Sequence, residues 1–294
     1  MKTKFVAGTL LLIALTSRAT IVSGGDGTQN ATAPSGDRGW SYVGRISNKP
    51  SSVTYVSNNW FVTAYHVKAL DHPSAVILGG TTYSIAASSW TRVTNSSGSD
   101  ADVTLFRVTA NVSGPSGLSI AASAPSSATP LTMIGNGRNR ASGKTWWDAS
   151  WNETNAAGAL HAGYKWASGA TKRWGDNAME GTSTVNDGYG VTEMIYTDFD
   201  DVDGGAQGAT YDSGGGVFVD DGGEWKLAGI MLTVDAFAGQ PANTAVFGNR
   251  TYSADLSVYA DQINAVVAVP EPSVPLLIAG AGGLAWFVRR RFMI

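Results

Sequence analysis

Residues 60–66 read Trp-Phe-Val-Thr-Ala-Tyr-His, an aromatic and β-branched run that ends on an imidazole. Such a run predicts a short strand, and the end of a strand holds a side chain in a fixed place. The two other histidines have no such support, because His72 lies beside Pro73 and His161 lies among glycine and alanine in a predicted loop. His66 is therefore the candidate base, and the alternative is a core histidine bound to a backbone carbonyl.

Two further segments supply the groups that a histidine base works with. Asp102 directly precedes residues 103–108, Val-Thr-Leu-Phe-Arg-Val, which alternate as a strand does. Asp100 is its competitor but lies in the serine-rich loop before the strand. Ser213 stands in residues 211–216, Tyr-Asp-Ser-Gly-Gly-Gly, where the glycines permit the tight turn that exposes a nucleophile. Alone, that motif is as often a surface turn as a site.

The rest of the chain predicts an all-β protein. It contains 36 glycines among 294 residues, and only 15% of its residues are charged, which suits short strands joined by many turns. Residues 258–267 have apolar side chains at helical spacing and predict the one sizeable helix. The predicted strands span residues 41–46, 52–56, 60–64, 75–78, 103–108, 131–135, 192–196, 216–219 and 225–232.

Charge and cysteine content exclude several classes of function. The formal net charge is −3 and lysine and arginine are scattered apart from a terminal cluster, so nucleic acid is not an expected partner. The chain has no cysteine, which removes disulfides, zinc-thiolate sites and thiol nucleophiles. No cofactor or metal site is expected. The acidic run Asp198, Asp200, Asp201 and Asp203 lacks the full Ca²⁺-loop pattern and favours a solvated turn.

The segments around His66, Asp102 and Ser213 together resemble the chymotrypsin family of serine proteases, in the same chain order. The resemblance implies two packed antiparallel β-barrels with a short C-terminal helix, formed by residues 20–267. It also implies the roles: His66 as general base then acid, Asp102 orienting it, and Ser213 attacking a peptide carbonyl. The backbone N–H groups of Tyr211 and Ser213 would form the oxyanion hole, and the substrate would be a protein or peptide.

The pattern departs from that family at several positions. Tyr211 stands where the family has a glycine, which puts efficient catalysis in doubt. Gln207 falls at the family's specificity position, and Leu232 and Val234 fall in the pocket wall, which favours small or medium apolar side chains. Residues 21–24, Ile-Val-Ser-Gly, resemble the family's processed N-terminus, which would pair with Asp212, although coincidence is equally open.

Both ends of the chain resemble targeting signals. Residues 1–19 combine two lysines, an apolar run and a small-residue site before Thr20, and they predict a signal peptide for signal peptidase. Residues 269–294 resemble the PEP-CTERM sorting signal, with Pro-Glu-Pro at 270–272, a short apolar span and Arg289 to Arg291. The resemblance implies an exosortase-type enzyme, transient anchoring in the inner membrane and delivery to the surface or matrix of a Gram-negative-type bacterium. A plain tail anchor is the alternative.

Two functions from different classes follow. The first is a secreted serine endopeptidase that works through an acyl-enzyme. The second is a catalytically weak or inactive module of the same fold that binds a surface protein or exopolysaccharide, for which Trp146, Trp147, Trp151 and Trp166 offer stacking surfaces.

Overall fold

Residues 20–268 are described by a computed structural model, and the predicted signal peptide and sorting signal lie outside them. The strands, in chain order, are β1 Ile21–Val22, β2 Val43–Ile46, β3 Ser52–Ser57, β4 Trp60–Ala64, β5 Ala75–Leu78, β6 Thr81–Ser84, β7 Thr91–Thr94, β8 Asp100–Arg107, β9 Pro130–Gly135, β10 Arg138–Arg140, β11 Thr145–Trp147, β12 Glu153–Thr154, β13 His161–Ala170, β14 Arg173–Ala178, β15 Gly181–Asn186, β16 Val191–Asp198, β17 Ala206–Gln207, β18 Gly216–Asp221, β19 Glu224–Val234, β20 Thr244–Val246 and β21 Arg250–Asp255. The helices are α1 Tyr65–Asp71 and α2 Ala260–Val267.

Two seven-stranded antiparallel sheets make up the two barrels. The N-terminal sheet has the order β6-β5-β2-β3-β4-β8-β7, and the C-terminal sheet has the order β14-β9-β18-β19-β21-β16-β15. A smaller sheet, β10-β13-β11-β12 with β20 paired to β13, is attached to the C-terminal half. The prediction of an all-β chain with two packed barrels and a short C-terminal helix is confirmed.

One apolar core joins the two barrels. In the N-terminal barrel, the rings of Phe61 and Phe106 stack at 5.4 Å between centroids, on paired residues of β4 and β8. The same buried cluster includes Phe218 and Ile230 of the C-terminal barrel and Ile263 of α2. Because no cysteine is present, the barrels are held together by this shared core and by other non-covalent contacts, without a disulfide. Among the described residues, no helix is long and apolar enough to cross a membrane.

Each predicted strand corresponds to an observed strand, and several observed strands extend by one to three residues. The strand predicted at 41–46 begins only at Val43, because residues 40–42 form a 3-10 turn, and the strand predicted at 103–108 ends at Arg107. Residues 258–267 contain α2, which begins at Ala260. The sequence did not predict the short strands β1 and β17, the strands β6 and β7, any of the strands β10 to β15, or the late strands β20 and β21. Many of these strands carry polar or half-exposed residues, as in β15, where exposed and partly buried positions alternate without a buried one.

Candidate active site

His66 and Asp102 form a closely bonded pair between neighbouring strands. β4 pairs with β8 so that Ala64 lies opposite Val103, and α1 begins just after Ala64. His66 in the first turn of α1 therefore faces the start of β8. Asp102 is fully buried, and its carboxylate accepts from the backbone N–H of His66 at 2.8 Å and contacts His66 Nδ1 at 2.6 Å. Two bonds to one carboxylate fix the imidazole plane and place the Nδ1 proton between the two groups.

The competing residues have other partners. Asp100 forms an ion pair with Arg92 at 3.0 Å. His72 ends α1 in a left-handed conformation with φ 45°. His161 stacks on Trp151 with 4.1 Å between ring centroids, away from the pair. The structure thus brings His66 and Asp102 together and leaves the alternatives elsewhere.

Ser213 lies in the same cleft as His66, at the junction of the two barrels. The cleft has a volume of about 280 Å³ and both residues line it. The Ser213 hydroxyl donates to the carbonyl of Leu232 at 3.1 Å, whereas the hydrogen bonds of His66 to described residues both go to Asp102. Rotation of the serine side chain is therefore needed before its hydroxyl can donate to the imidazole, as is frequent in sites without substrate.

The turn after Ser213 requires glycine. Gly214 has φ +86°, and a Cβ there would lie 2.1 Å from Thr63 Oγ1 and 2.2 Å from the carbonyl oxygen of Ser52. A side chain would therefore push the nucleophile turn away from the N-terminal barrel. This contact explains why the Ser-Gly pair, and not serine alone, identifies the turn.

Tyr211 adopts the backbone conformation that glycine would supply. Its φ is +81°, and its carbonyl oxygen accepts from the N–H of Ser52 at 2.9 Å and from the Ser52 hydroxyl at 3.0 Å. Its ring lies 5.4 Å from the guanidinium carbon of Arg138. Within residues 20–268, the N–H groups of Tyr211 and Ser213 make no backbone hydrogen bond.

Asp212 is buried beneath the nucleophile turn. It accepts from the N–H groups of Gly137 at 2.7 Å and Ala209 at 2.9 Å, and from the Thr20 hydroxyl at 3.2 Å. Burial raises the pKa of Asp212 to about 7, against the lowering effect of these donors. Ile21 follows in β1, which pairs with β17, and its side chain is fully buried. The structure therefore places Thr20, one residue before the expected Ile21, beside Asp212.

Two of the three expected specificity residues line the cleft. Leu232 and Val234 do, together with Ala209 and Met231, which makes its wall largely apolar. Gln207 does not line it. Gln207 is buried in β17, and neither polar atom of its amide has a hydrogen-bond partner among the described residues.

A second carboxyl group, that of Asp187, lies close to the His66–Asp102 pair. One ligand atom from each of the three residues lies within 4.8 Å of the others. Burial raises the pKa of Asp187 to about 6, and the neighbouring carboxylate of Asp102 adds to this rise as the second cause. Sequence reasoning missed this residue because Asp187 lies in an Asn-Asp-Gly turn, the composition of an ordinary hairpin loop.

The other sequence candidates have separate surroundings. Asp198 bonds Arg250 at 3.0 Å and Asp201 bonds Lys144 at 2.7 Å, so each carboxylate has its own cation. Trp147 and Trp151 line a second hollow of about 490 Å³, which Trp166 shares with the first cleft.

Comparisons with known proteins bear on the fold and on the C-terminal segment. Residues 268–291 match the PEP-CTERM protein-sorting motif. A mutant of human heparin binding protein has a similar structure with a TM-score of 0.54 and 14% identity, over 86% of this chain and 99% of that one. An inactive form of Rv3671c from M. tuberculosis H37Rv, carrying a serine-to-alanine mutation, gives a TM-score of 0.49 and 14% identity, over 86% and 98%. No curated protein matches the sequence. The fold is chymotrypsin-like.

Proposed function

From a chymotrypsin-like fold and a C-terminal sorting motif, we propose that the chain is an exported serine endopeptidase whose triad is His66, Asp102 and Ser213. The observation that carries this proposal is the buried Asp102 bonded twice to His66, on the same cleft as Ser213. A carboxylate that binds both the backbone and the ring of one histidine orients that ring as a base requires. The catalytic domain spans residues 20–267.

The proposed reaction begins with a substrate peptide in the cleft. Ser213 turns from the Leu232 carbonyl, gives its proton to His66 and attacks the peptide carbon. Asp102 stabilises the imidazolium that results, and His66 then donates the proton to the leaving amine. The N–H groups of Tyr211 and Ser213 stabilise the negative oxygen, a contribution of roughly 3 kcal/mol for one donor. Water releases the acyl group by the same steps.

A fluorophosphonate probe tests the proposal, because it reacts with an activated serine. We expect covalent labelling at Ser213 that disappears in Ser213→Ala and His66→Ala. His161→Ala is the matched control for His66→Ala, since it removes an imidazole outside the pair, and it should label normally. A folded wild-type chain that never labels would refute the proposed enzyme.

The apolar wall of the cleft supports a preference at the primary subsite. Leu232, Val234, Ala209 and Met231 surround it, and we propose that small or medium apolar side chains bind there. Cleavage of a peptide library should favour alanine or valine over lysine and aspartate before the scissile bond. Val234→Gly should widen this preference to larger side chains without changing the reaction.

The alternative function is a binding module for polysaccharide, and the aromatic cluster of Trp151, His161 and Phe237 favours it. Trp151 stacks on His161 and lies near Phe237, with ring centroids at 4.1 and 6.2 Å. Aromatic faces of this kind bind sugar rings by stacking, and one protein of similar structure is described as heparin binding. Exopolysaccharide binding that is lost in Trp151→Ala but kept in Ser213→Ala, with no peptide turnover, would favour this function over the enzyme.

The ends of the chain support export and processing. We propose that signal peptidase cleaves after Ala19, which would leave the new ammonium group on Thr20 beside Asp212 without further trimming.

We also propose that an exosortase-type enzyme acts at residues 270–272 while the tail holds the chain in the inner membrane. In a host with that enzyme, mass spectrometry of the surface protein should find the chain ending near Pro270, and Glu271→Ala should leave it membrane-bound. Surface protein from such a host that still extends to Ile294 would mean that residues 269–294 are only a membrane anchor.

A further inference from the structure

The turn between β15 and β16 is fastened to the strand that carries Asp102. A Cβ on Gly190 would lie 2.9 Å from the backbone nitrogen of Asp102, so the two backbones are in direct contact. That nitrogen donates to Thr192 Oγ1 at 2.9 Å. The guanidinium of Arg92, in the neighbouring strand β7, donates to the carbonyl of Tyr189 and forms an ion pair with Asp100 of β8, which adds an indirect link. The turn is therefore a fixed wall of the site.

Asp187 lies in this turn with one oxygen bonded and one enclosed. Its Oδ1 accepts from the N–H of Tyr189 at 2.9 Å. Its Oδ2 is shielded from solvent and has no hydrogen-bond partner among residues 20–268. The Tyr189 ring lies 5.4 Å from the His66 ring and covers the same side of the site. An enclosed carboxylate oxygen without a donor is costly. Asp187 has a carboxylate oxygen within 4.8 Å of a carboxylate oxygen of Asp102 and of a ring nitrogen of His66.

Two carboxylates whose oxygens lie within 4.8 Å of each other interact in one of two ways. When both are ionised they repel each other and both increase the negative charge beside His66. When one carries a proton, the repulsion becomes an O–H···O⁻ hydrogen bond, which is short and strong. Asp102 already accepts two hydrogen bonds from His66, so it is the member that stays ionised and Asp187 is the member that takes the proton.

We propose, on the basis of the function proposed above, that Asp187 is a pH-responsive positioning residue that acts on His66 through Asp102. In its protonated form it donates a hydrogen bond to Asp102 and holds that carboxylate towards the histidine. In its ionised form it adds a second negative charge on the side where the imidazolium forms during acylation. The proton moves only between solvent and Asp187, so the peptide chemistry is unchanged.

The charged groups around Asp187 support this division of roles. From α1 it faces His66, and from β8 it faces Asp102. Arg92 of β7 lies nearby but is bound to Asp100, as well as to the turn's own carbonyl oxygen. His66 is therefore the group on which a change in the charge of Asp187 acts most directly.

A carboxyl-carbon NMR titration tests the pairing without any measure of activity. The Asp187 resonance, assigned by its disappearance in Asp187→Asn, should titrate with a midpoint near pH 6. In Asp102→Asn the midpoint should fall towards the range of an ordinary aspartate, because the like charge is gone. Glu193→Gln removes a carboxylate from the adjoining strand and should leave the midpoint in place. A midpoint that ignores Asp102→Asn would overturn the proposal, even if the protein proves to be no enzyme.

The pH profile of kcat/KM for a peptide substrate tests the effect on the site. Asp187→Asn keeps a donor for Asp102 but cannot ionise, so kcat should fall about fivefold above pH 7, with KM unchanged and no loss below pH 5.5. Asp187→Ala lacks the donor as well and should be slower at both ends. Asp187 is only structural if the pH profiles of the wild-type enzyme and of Asp187→Asn have the same shape. The same holds if Asp187→Asn and Asp187→Ala lose equal activity at all pH values. Wild-type enzyme that fails to label with fluorophosphonate refutes the function, not the titration.

Discussion

Tyr211→Gly replaces the residue that departs most clearly from the expected oxyanion loop. Tyr211 already has φ +81°, so glycine inherits the same backbone and relieves a left-handed strain of about 1 to 2 kcal/mol. Against this gain stand the greater backbone freedom of glycine when unfolded, about 0.5 to 1 kcal/mol, and the lost contact with Arg138, about 0.5 to 1 kcal/mol. The free energy of unfolding should therefore change by less than about 1 kcal/mol.

The kinetic result follows from the same backbone geometry. Since the N–H of Tyr211 is already directed as in a glycine turn, Tyr211→Gly should change kcat/KM and the fluorophosphonate labelling rate by less than about threefold. Tyr211→Ala is the control, because it keeps the strain and loses only the ring. Urea unfolding measures the change in the free energy of unfolding, and labelling kinetics measure the change in reaction rate. A rate increase of tenfold or more in the glycine variant would mean that the tyrosine holds the N–H away from the substrate oxygen.

Three other changes have equally definite outcomes. In a chain that retains residues before Thr20, stability measured by urea unfolding should fall by up to about 4 kcal/mol as pH rises from 4 to 7, because folding raises the pKa of Asp212 from 3.8 to about 7 and favours its protonated form; a flat profile contradicts this. Gly190→Ala would place Cβ 2.6 Å from a backbone oxygen of β8 and should lower both the thermal midpoint and the labelling rate, whereas Gly143→Ala, in open space, should change neither. Ser52→Ala should cost about 1 to 3 kcal/mol in thermal unfolding, since it leaves a buried backbone N–H without its acceptor; wild-type stability would show that water replaces the hydroxyl.

The order and surroundings of the three proposed catalytic residues could be predicted because each lies beside a strongly patterned strand. Trp60–Ala64 was predicted with its observed bounds, and the strand fixes where His66 lies. Asp100 and Asp102 lie on the same face of β8, so the strand pattern does not separate them, and the pairing of Ala64 with Val103 decides which one meets the histidine. That pairing is a tertiary contact which no local pattern reveals.

Other parts of the site depend on contacts between segments far apart in the chain. Asp187 reaches Asp102 because the β15–β16 hairpin packs on β8, across 85 positions of sequence, and its turn composition indicates only a turn. Gln207 was expected in the cleft from the resemblance to the chymotrypsin family, but β17 pairs with β1 and Gln207 is buried there. Thr20, and not Ile21, meets Asp212 for the same reason, because the register of that pairing decides which residue reaches the carboxylate.

The absence of cysteine raises the question of what holds the nucleophile turn across the two barrels. Ser52 supplies much of the answer, because it lies in the N-terminal barrel and bonds Tyr211 through both its N–H and its hydroxyl. Its hydroxyl also accepts from the N–H of Asn136, and its carbonyl accepts from Thr63. His66 belongs to the same barrel, so one framework positions this candidate base and fastens the turn that carries Ser213. The distance between His66 and Ser213 thus depends on a hydrogen-bonded contact between the barrels, and under the proposed function a change there should reduce activity before it unfolds either barrel.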